Sequence, residues 1–338
     1  MPNQAIANFI AERMPAVEAN MQSVVDSAGV EGLRTMLRYH LGFADAQGRS
    51  ERAPGGKRIR PALVLLSAMA AGQPAAIAAA TPAAAAVELL HNFSLIHDDI
   101  EDGDTLRRGR PTLWKVWGIA QSINTGDAMF AMAHQALLGS VAPAERVLRA
   151  MHVFASMCVG LTRGQHLDIS FEQRTDVTAT EYLDMIAGKT AALTEACCEI
   201  GAILGGSDDA QIAALARFGR DLGVAFQIQD DALGIWGDPI RTGKADSDLA
   251  HRKKTYPVLV AAERDPIFRA RYFDGDVESR DLASLREMIE ATGAREATEV
   301  AATATYDRGL ESLSGCGGAP EAIGMLSALA HSLFARAA

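Results

Sequence analysis

The chain has 338 residues, 49% apolar, 22% charged and only 6% aromatic, with a formal net charge of −10. That balance excludes disorder and leaves enough apolar surface for a large core. The acidic surplus argues against nucleic acid as a partner, because phosphate-backbone affinity comes from clustered Lys and Arg.

Abundant Ala and scarce aromatics favour closely packed helices over sheet, so the expectation is an all-α protein with a single domain over residues 1–338. Cys158, Cys197, Cys198 and Cys316 show no C-x-x-C spacing and read as reduced core cysteines. The opening MPNQAIANFIAERMP has no basic stretch followed by an apolar run. No apolar segment approaches the ~20 residues that span a bilayer, and the expected location is cytoplasmic.

In chain order, residues 4–42 carry apolar side chains at helical spacing and break near Ala28-Gly29, which predicts two short helices. A Gly-, Ser- and Pro-bearing loop follows and ends in GGKRIRP. Pro61 suits the first turn of the next helix, so Lys57, Arg58 and Arg60 gather at its N-terminal end. Cations there oppose the helix dipole; they form either a solvated basic loop or a shared anion site.

Thr81-Pro82 predicts the start of a long helix running to Asp102. Its second half opens the stretch HNFSLIHDDIEDGDTLRRGRP, His91 to Pro111, which sets Asp98, Asp99, Glu101, Asp102 and Asp104 beside Arg107, Arg108 and Arg110. On a helix Asp98 and Asp102 stand one turn apart, and His91 shares their stripe. Carboxylates at a helix C-terminus have the wrong sign for its dipole, so a bound cation would relieve them. Below a basic loop they suggest a metal–diphosphate site.

One helix is predicted from Pro111 to Ala142-Pro143, and another over 145–171 with Gly164, Gln165, His166 and Asp168, to which no role is assigned. Residues 180–204 read as a helix with Gly188-Lys189-Thr190 at its middle; the Gly calls for a close backbone approach or a kink. Lys189 is the odd residue there, and its plain reading is a stem along the helix with its head in water. Ser207-Asp208 caps a helix that ends in FQIQDDALGIWGDP. Asp230 shares a stripe with Gln227, Gly223, Gly219 and Ala216, small residues that admit another helix. A polar loop with Lys244, Asp246, Asp248, Arg252, Lys253 and Lys254 follows, and residues 258–338 predict three or four amphipathic helices.

Two carboxylate stripes on separate helices can face each other across a bundle. Oxygen ligands without His or Cys favour Mg²⁺, held by one or two carboxylates plus substrate phosphates; the Glu-x-x-His pairs of a di-iron bundle are missing. The stretches GGKRIRP, ELLHNFSLIHDDIEDGDTLRRGRPT, GKTAAL, FQIQDDALGIWGD and KKTYP resemble, in order from 55 to 257, the signatures of the trans-isoprenyl diphosphate synthases, the polyprenyl synthetase family.

The resemblance implies an antiparallel helix bundle of isoprenoid synthase type around a central active-site cavity. It also implies a Mg²⁺-dependent prenyltransferase that joins isopentenyl diphosphate head to tail to an allylic diphosphate: dimethylallyl, geranyl or farnesyl. By the same resemblance Asp98, Asp102 and Asp230 hold Mg²⁺, and Asp99 and Asp231 are supporting carboxylates. Arg107, Lys189, Thr190, Gln227, Lys244 and Lys254 match contacts to the allylic diphosphate. Lys57, Arg60, His91 and Arg108 match contacts to isopentenyl diphosphate. The catalytic set is then Asp98, Asp99, Asp102, Arg107, Lys189, Asp230 and Asp231, and a homodimer is the family's expectation.

Phe93, five residues before Asp98, would floor the pocket for the growing chain, although it falls off the Asp98 stripe. With no insertion in DDIED, this resembles the geranylgeranyl type, with farnesyl diphosphate the runner-up and longer products less favoured. The sequence departs from the family at Gly234, where the second motif usually ends in Asp; the next acid is Asp238. Two rivals stand. A terpene cyclase needs no second diphosphate site, so Lys57, Arg60, His91 and Arg108 argue against it. A weakly active partner subunit of a heteromeric synthase draws on Gly234.

Overall fold

The computed structural model describes residues 2–53, 56, 58–237, 247–274 and 282–335. Lys57, Lys244 and Asp238 lie outside the described residues. Among the described residues the fold is all-α except for one two-stranded ribbon. The chain groups into two compact units, one of Met1–Val153, Cys197–Ile212 and Gly318–Leu326, the other of Phe154–Ala196, Ala213–Gly317 and Ser327–Ala338.

The first unit is built on α1 (Pro2–Asp26), α2 (Glu31–Leu41), α3 (Ile59–Met69), α4 (Ala76–Glu101), strands β1 (Leu106–Arg107) and β2 (Arg110–Pro111), α5 (Leu113–Trp117) and α6 (Ile119–Leu138). Helix α4 is its axis. Ala80, Ala83, Ala84, Ala85, Ala86, Val87 and Leu89 are buried all round, as in a helix with neighbours on every side, and α3 and α6 pack directly on it.

Three sequence expectations change here. Helix α4 starts at Ala76 rather than at Thr81, and Pro82 lies inside it; the Thr81 hydroxyl donates back to the Ile77 carbonyl (2.8 Å) instead of capping. Tertiary packing has overridden a local start signal. The break expected near Ala28-Gly29 does separate α1 from α2, but α1 is 25 residues rather than short; and the helix after Pro111 breaks at Gly118, whose φ of 82° ends α5 before α6 begins.

The second unit takes most of α7 (Ala144–Glu172), then α8 (Ala179–Ile186), a π-helical turn (Ala187–Ala191), the start of α9 (Ala192–Gly205) and most of α10 (Asp209–Trp236). Asp208 caps α10 as expected, accepting from the Gln211 N–H at 2.8 Å. Helices α11 (Ser247–Ala250), α12 (Tyr256–Arg264), α13 (Pro266–Asp274), α14 (Leu282–Ala291), α15 (Ala294–Ser314) and the end of α16 (Pro320–Ala335) complete it. Its cores gather Phe268, Tyr272, Leu285 and Ile289 in one cluster and Tyr182, Ile186, Ile228 and Leu259 in another.

Candidate active site

In the first unit the site residues collect at the C-terminal end of α4. The Asp102 N–H donates to the Asp98 carbonyl (2.8 Å), which sets the two carboxylates one turn apart as their spacing predicts. Asp99 behaves differently. It is buried, and its Oδ1 accepts from both Nε and Nη2 of Arg107, each at 2.6 Å. Burial pushes its carboxyl up to about 6 against the pull of that guanidinium.

Arg107 reaches Asp99 from the ribbon, whose turn residues Arg108 and Gly109 have φ of 53° and 78°. Positive φ at both central positions matches the twist of a tight hairpin, and for Arg108 it is a strained conformation. Arg110, across the ribbon, anchors it: the guanidinium lies 4.1 Å from the Tyr39 ring centre and donates to the Tyr39 and Ala44 carbonyls.

The basic cluster before α3 divides by partner. Arg58 is clamped between Glu88 (2.5 Å) and Glu18 (3.3 Å), which takes it out of any anion site. Arg60 is held in low-dielectric surroundings; burial first, then Arg60 and Arg108, keep His91 well below the ordinary imidazole range. His40, which sequence reasoning did not single out, belongs to the same cluster. Burial first, then Arg108, Arg107 and Arg110, lower it to about 3. Two neutral imidazoles stand there among guanidiniums, with Glu88 and Asp99 the buried carboxylates that offset part of the positive field.

Phe93 packs edge-on to His97 (ring centres 4.8 Å apart) and against Phe130 of α6 (5.0 Å), which in turn meets His134 (4.7 Å). Phe130 and His134 were also missed; their four-residue spacing on α6 is the signal that could have found them.

In the second unit the expected irregularity at Gly188 is the π turn. Gly188 and Gly164 let two backbones meet, and a Cβ on Gly164 would overlap the Lys189 amide. Lys189 does not simply reach into water: its Nζ donates to the Asp168 carboxylate, so the unassigned Asp168 has a role as its counter-ion. Close packing predicted beside the Asp230 stripe is present at Gly223, whose missing Cβ leaves room for Ala191 and Thr194 of the neighbouring segment.

The second Asp pair splits as the first does. Asp230 is exposed, whereas Asp231 is buried and accepts from the Tyr182 hydroxyl (2.5 Å), the Gln227 carboxamide (3.1 Å) and the Tyr256 N–H (3.1 Å). Burial pushes the Asp231 carboxyl up to about 7, against those three donors. Gln227 in turn accepts from the Thr190 hydroxyl (3.0 Å), and Lys254 donates to the Glu172 carbonyl (3.0 Å). Thr190, Gln227 and Asp231 are thus brought into one network; Tyr182 is a member that no motif announced.

Residues 49–289 match the polyprenyl synthetase family. The chain belongs to that family. This polyprenyl synthetase is 50% identical over 232 residues to a geranylgeranyl diphosphate synthase of Mycobacterium tuberculosis, a match covering 68% of the chain and 65% of that relative's length. It is 42% identical to a (2E,6E)-farnesyl diphosphate synthase of the same organism over 90% of the chain and 87% of the relative. The crystal structure of a geranylgeranyl pyrophosphate synthetase from Pyrococcus horikoshii matches 99% of each chain with a TM-score of 0.89 at 31% identity. The all-α isoprenoid synthase fold is thereby established for this polyprenyl synthetase. The family match includes both Asp pairs, Lys189 and Lys254, and begins after His40.

The family's Mg²⁺ suits the donors present. Among the described residues no three or more His, Cys, Asp or Glu close into a metal cage. Mg²⁺ does not need one, because it takes one or two carboxylates and completes its shell with water and substrate phosphate. Asp98 and Asp102, one turn apart at the end of one helix, offer that pair. Among the described residues no helix is long and apolar enough to cross a membrane.

Proposed function

We propose that this polyprenyl synthetase condenses isopentenyl diphosphate head to tail with an allylic diphosphate and releases geranylgeranyl diphosphate. The observation that carries this reading is the cluster of Arg60, His91 and Arg108 in the first unit, apart from the carboxylates; it supports a second diphosphate subsite, which a cyclase would not need. The similarity to a geranylgeranyl diphosphate synthase supports the product length, with farnesyl diphosphate the alternative.

In this reading Asp98 and Asp102, and Asp230, would hold Mg²⁺, which when bound would supply stabilisation of negative charge on a departing diphosphate. Arg107, Lys189, Thr190, Gln227 and Lys254, with Lys244, bind the allylic diphosphate through its oxygens. The positive charge of Arg107, Lys189, Lys244 and Lys254 favours ionisation of the C–O bond to an allylic cation. Arg60, His91 and Arg108, with Lys57, bind the second diphosphate and fix the angle at which its alkene attacks. His91 is neutral, so it contributes an N–H rather than a charge. The released diphosphate is the base that removes the last proton, since no carboxylate outside the metal and positioning roles is offered by the motifs.

A homodimer belongs to the proposal. It is supported by the exposed face of α6, where Ile119, Ile123 and Leu138 recur at helical spacing.

The test is product analysis of the purified chain with Mg²⁺, isopentenyl diphosphate and each of the three allylic starters. A twenty-carbon diphosphate is expected, and Phe93→Ala should lengthen it. Product from allylic diphosphate alone would mark a cyclase, and no turnover at all would mark a partner subunit.

A further inference from the structure

We propose that Tyr182 is a positioning residue for the allylic diphosphate, acting through Asp231 and Gln227 on Thr190; this rests on the synthase reading above. The Thr178–Glu181 capping box fixes the start of α8, with the Glu181 N–H donating to Thr178 Oγ1 (3.2 Å) and the Thr178 N–H to Glu181 Oε2 (2.9 Å). Tyr182 follows at once and is buried.

A carboxylate has acceptors only. Asp231 Oδ2 takes the Tyr182 O–H (2.5 Å) and the Tyr256 N–H (3.1 Å), while Oδ1 takes Gln227 Nε2 (3.1 Å). That bond decides which way the Gln227 carboxamide faces: with its nitrogen on Asp231, its oxygen must meet Thr190, whose hydroxyl donates at 3.0 Å. The chain therefore runs from Tyr182 to Asp231, to Gln227, to Thr190. Its last two members are residues that the synthase reading sets on the allylic diphosphate.

Asp231 does a second thing. Tyr256 is the first residue of α12, so its N–H bond to Asp231 also holds the segment that delivers Lys254. A buried carboxylate with three donors cannot turn outward to a metal without leaving them unpaired. Asp231 is accordingly an organiser beside the exposed Asp230, and Tyr182 supplies the shortest of its bonds.

Tyr182→Phe removes one hydroxyl and keeps the ring in the core. The expected result is a rise of roughly tenfold in KM for the allylic diphosphate, the worth of one charge-assisted hydrogen bond. KM for isopentenyl diphosphate should stay near wild type. Thr190→Val supplies the second arm: if Tyr182 works through Thr190, the double variant is no worse than the poorer single one. Independent, additive losses overturn the inference, as does an unchanged allylic KM. Equal rises in both KM values with a lowered midpoint also overturn it, since they indicate a purely structural tyrosine. A wild-type chain that makes no product from both substrates overturns the synthase reading and this inference together; an active wild type with any of the preceding outcomes overturns this inference alone.

Discussion

At the scale of single residues, each Asp-Asp pair separates into two kinds of carboxylate. Asp99 and Asp231 are buried, Asp99 held through Oδ1 by Arg107 and Asp231 through both oxygens by Tyr182, Tyr256 and Gln227, while Asp230 is exposed and Asp98 half-buried. Adjacent helical residues point about 100° apart, so one member of a pair enters the core when the other reaches the surface. The cationic side has its own logic. His40 and His91 stay neutral because enclosure and the neighbouring guanidiniums both oppose a further positive charge. The folded-state pKa of His40, about 3, lies below its ordinary 6.5, so the unfolded chain binds the proton more readily. Its contribution to stability is complete above pH 6.5 and is lost as pH falls toward 3, at a slope of about 1.4 kcal/mol per pH unit within that window. His40→Gln should therefore lose less stability than wild type between pH 6.5 and pH 4.5, read from urea midpoints. Equal slopes would show that His40 does not titrate in this way.

At the scale of elements, the π turn at Ala187–Ala191 governs where Lys189 and Thr190 emerge. An extra residue in the turn shifts the register of the helix surface, and the two glycines that face each other there make the close crossing possible. Gly164→Ala should destabilise by about 1–3 kcal/mol or more, because the new Cβ meets backbone that cannot rotate away. Gly324→Ala, in α16 with nothing within 4 Å, is the control and should gain up to about 1 kcal/mol. Thermal unfolding of both decides it; a neutral Gly164→Ala would mean that the crossing relaxes easily. This turn was legible as a glycine out of place in a helix, and the motifs around Asp98, Lys189 and Asp230 were legible because their charges break apolar patterns. Other features were hidden for physical reasons. The ribbon at 106–111 is only two residues a side and turns on Arg108-Gly109, without the Asn-Gly or Asp-Gly signal of a tight hairpin. Tyr182 and His40 look like ordinary core residues on their own helices, and only long-range packing brings them to the site. Thr81-Pro82 carried a genuine start signal that the burial of Ala76, Ala79 and Ala80 outweighed.

At the scale of the whole molecule, the distribution of apolar surface bears on assembly. The exposed face of α6 carries Ile119 (53% exposed), Ile123 (42%) and Leu138 (57%), with Ala131 between them at the same spacing. The opposite face of the same helix buries Met129, Ala133, Ala136 and Leu137, and the exposed stripe is apolar except at Asp127. A surface helix with one neighbour needs only one apolar stripe; a second is the pattern of a helix buried on both sides. Self-association through a two-fold axis would set each Ile123 in an interface that repeats on both copies, and each buried Ile side chain would contribute about 1.5–3 kcal/mol. Ile123→Asp should then split the dimer, since it adds a second carboxylate beside Asp127 to that face and is repelled by the net charge of −10 on each chain. Sedimentation velocity at micromolar concentration should give a dimer for wild type and a monomer for the variant. Its circular dichroism should be unchanged, because Ile123 leaves the core of its own chain untouched. A variant that sediments as wild type would place the dimer contact elsewhere.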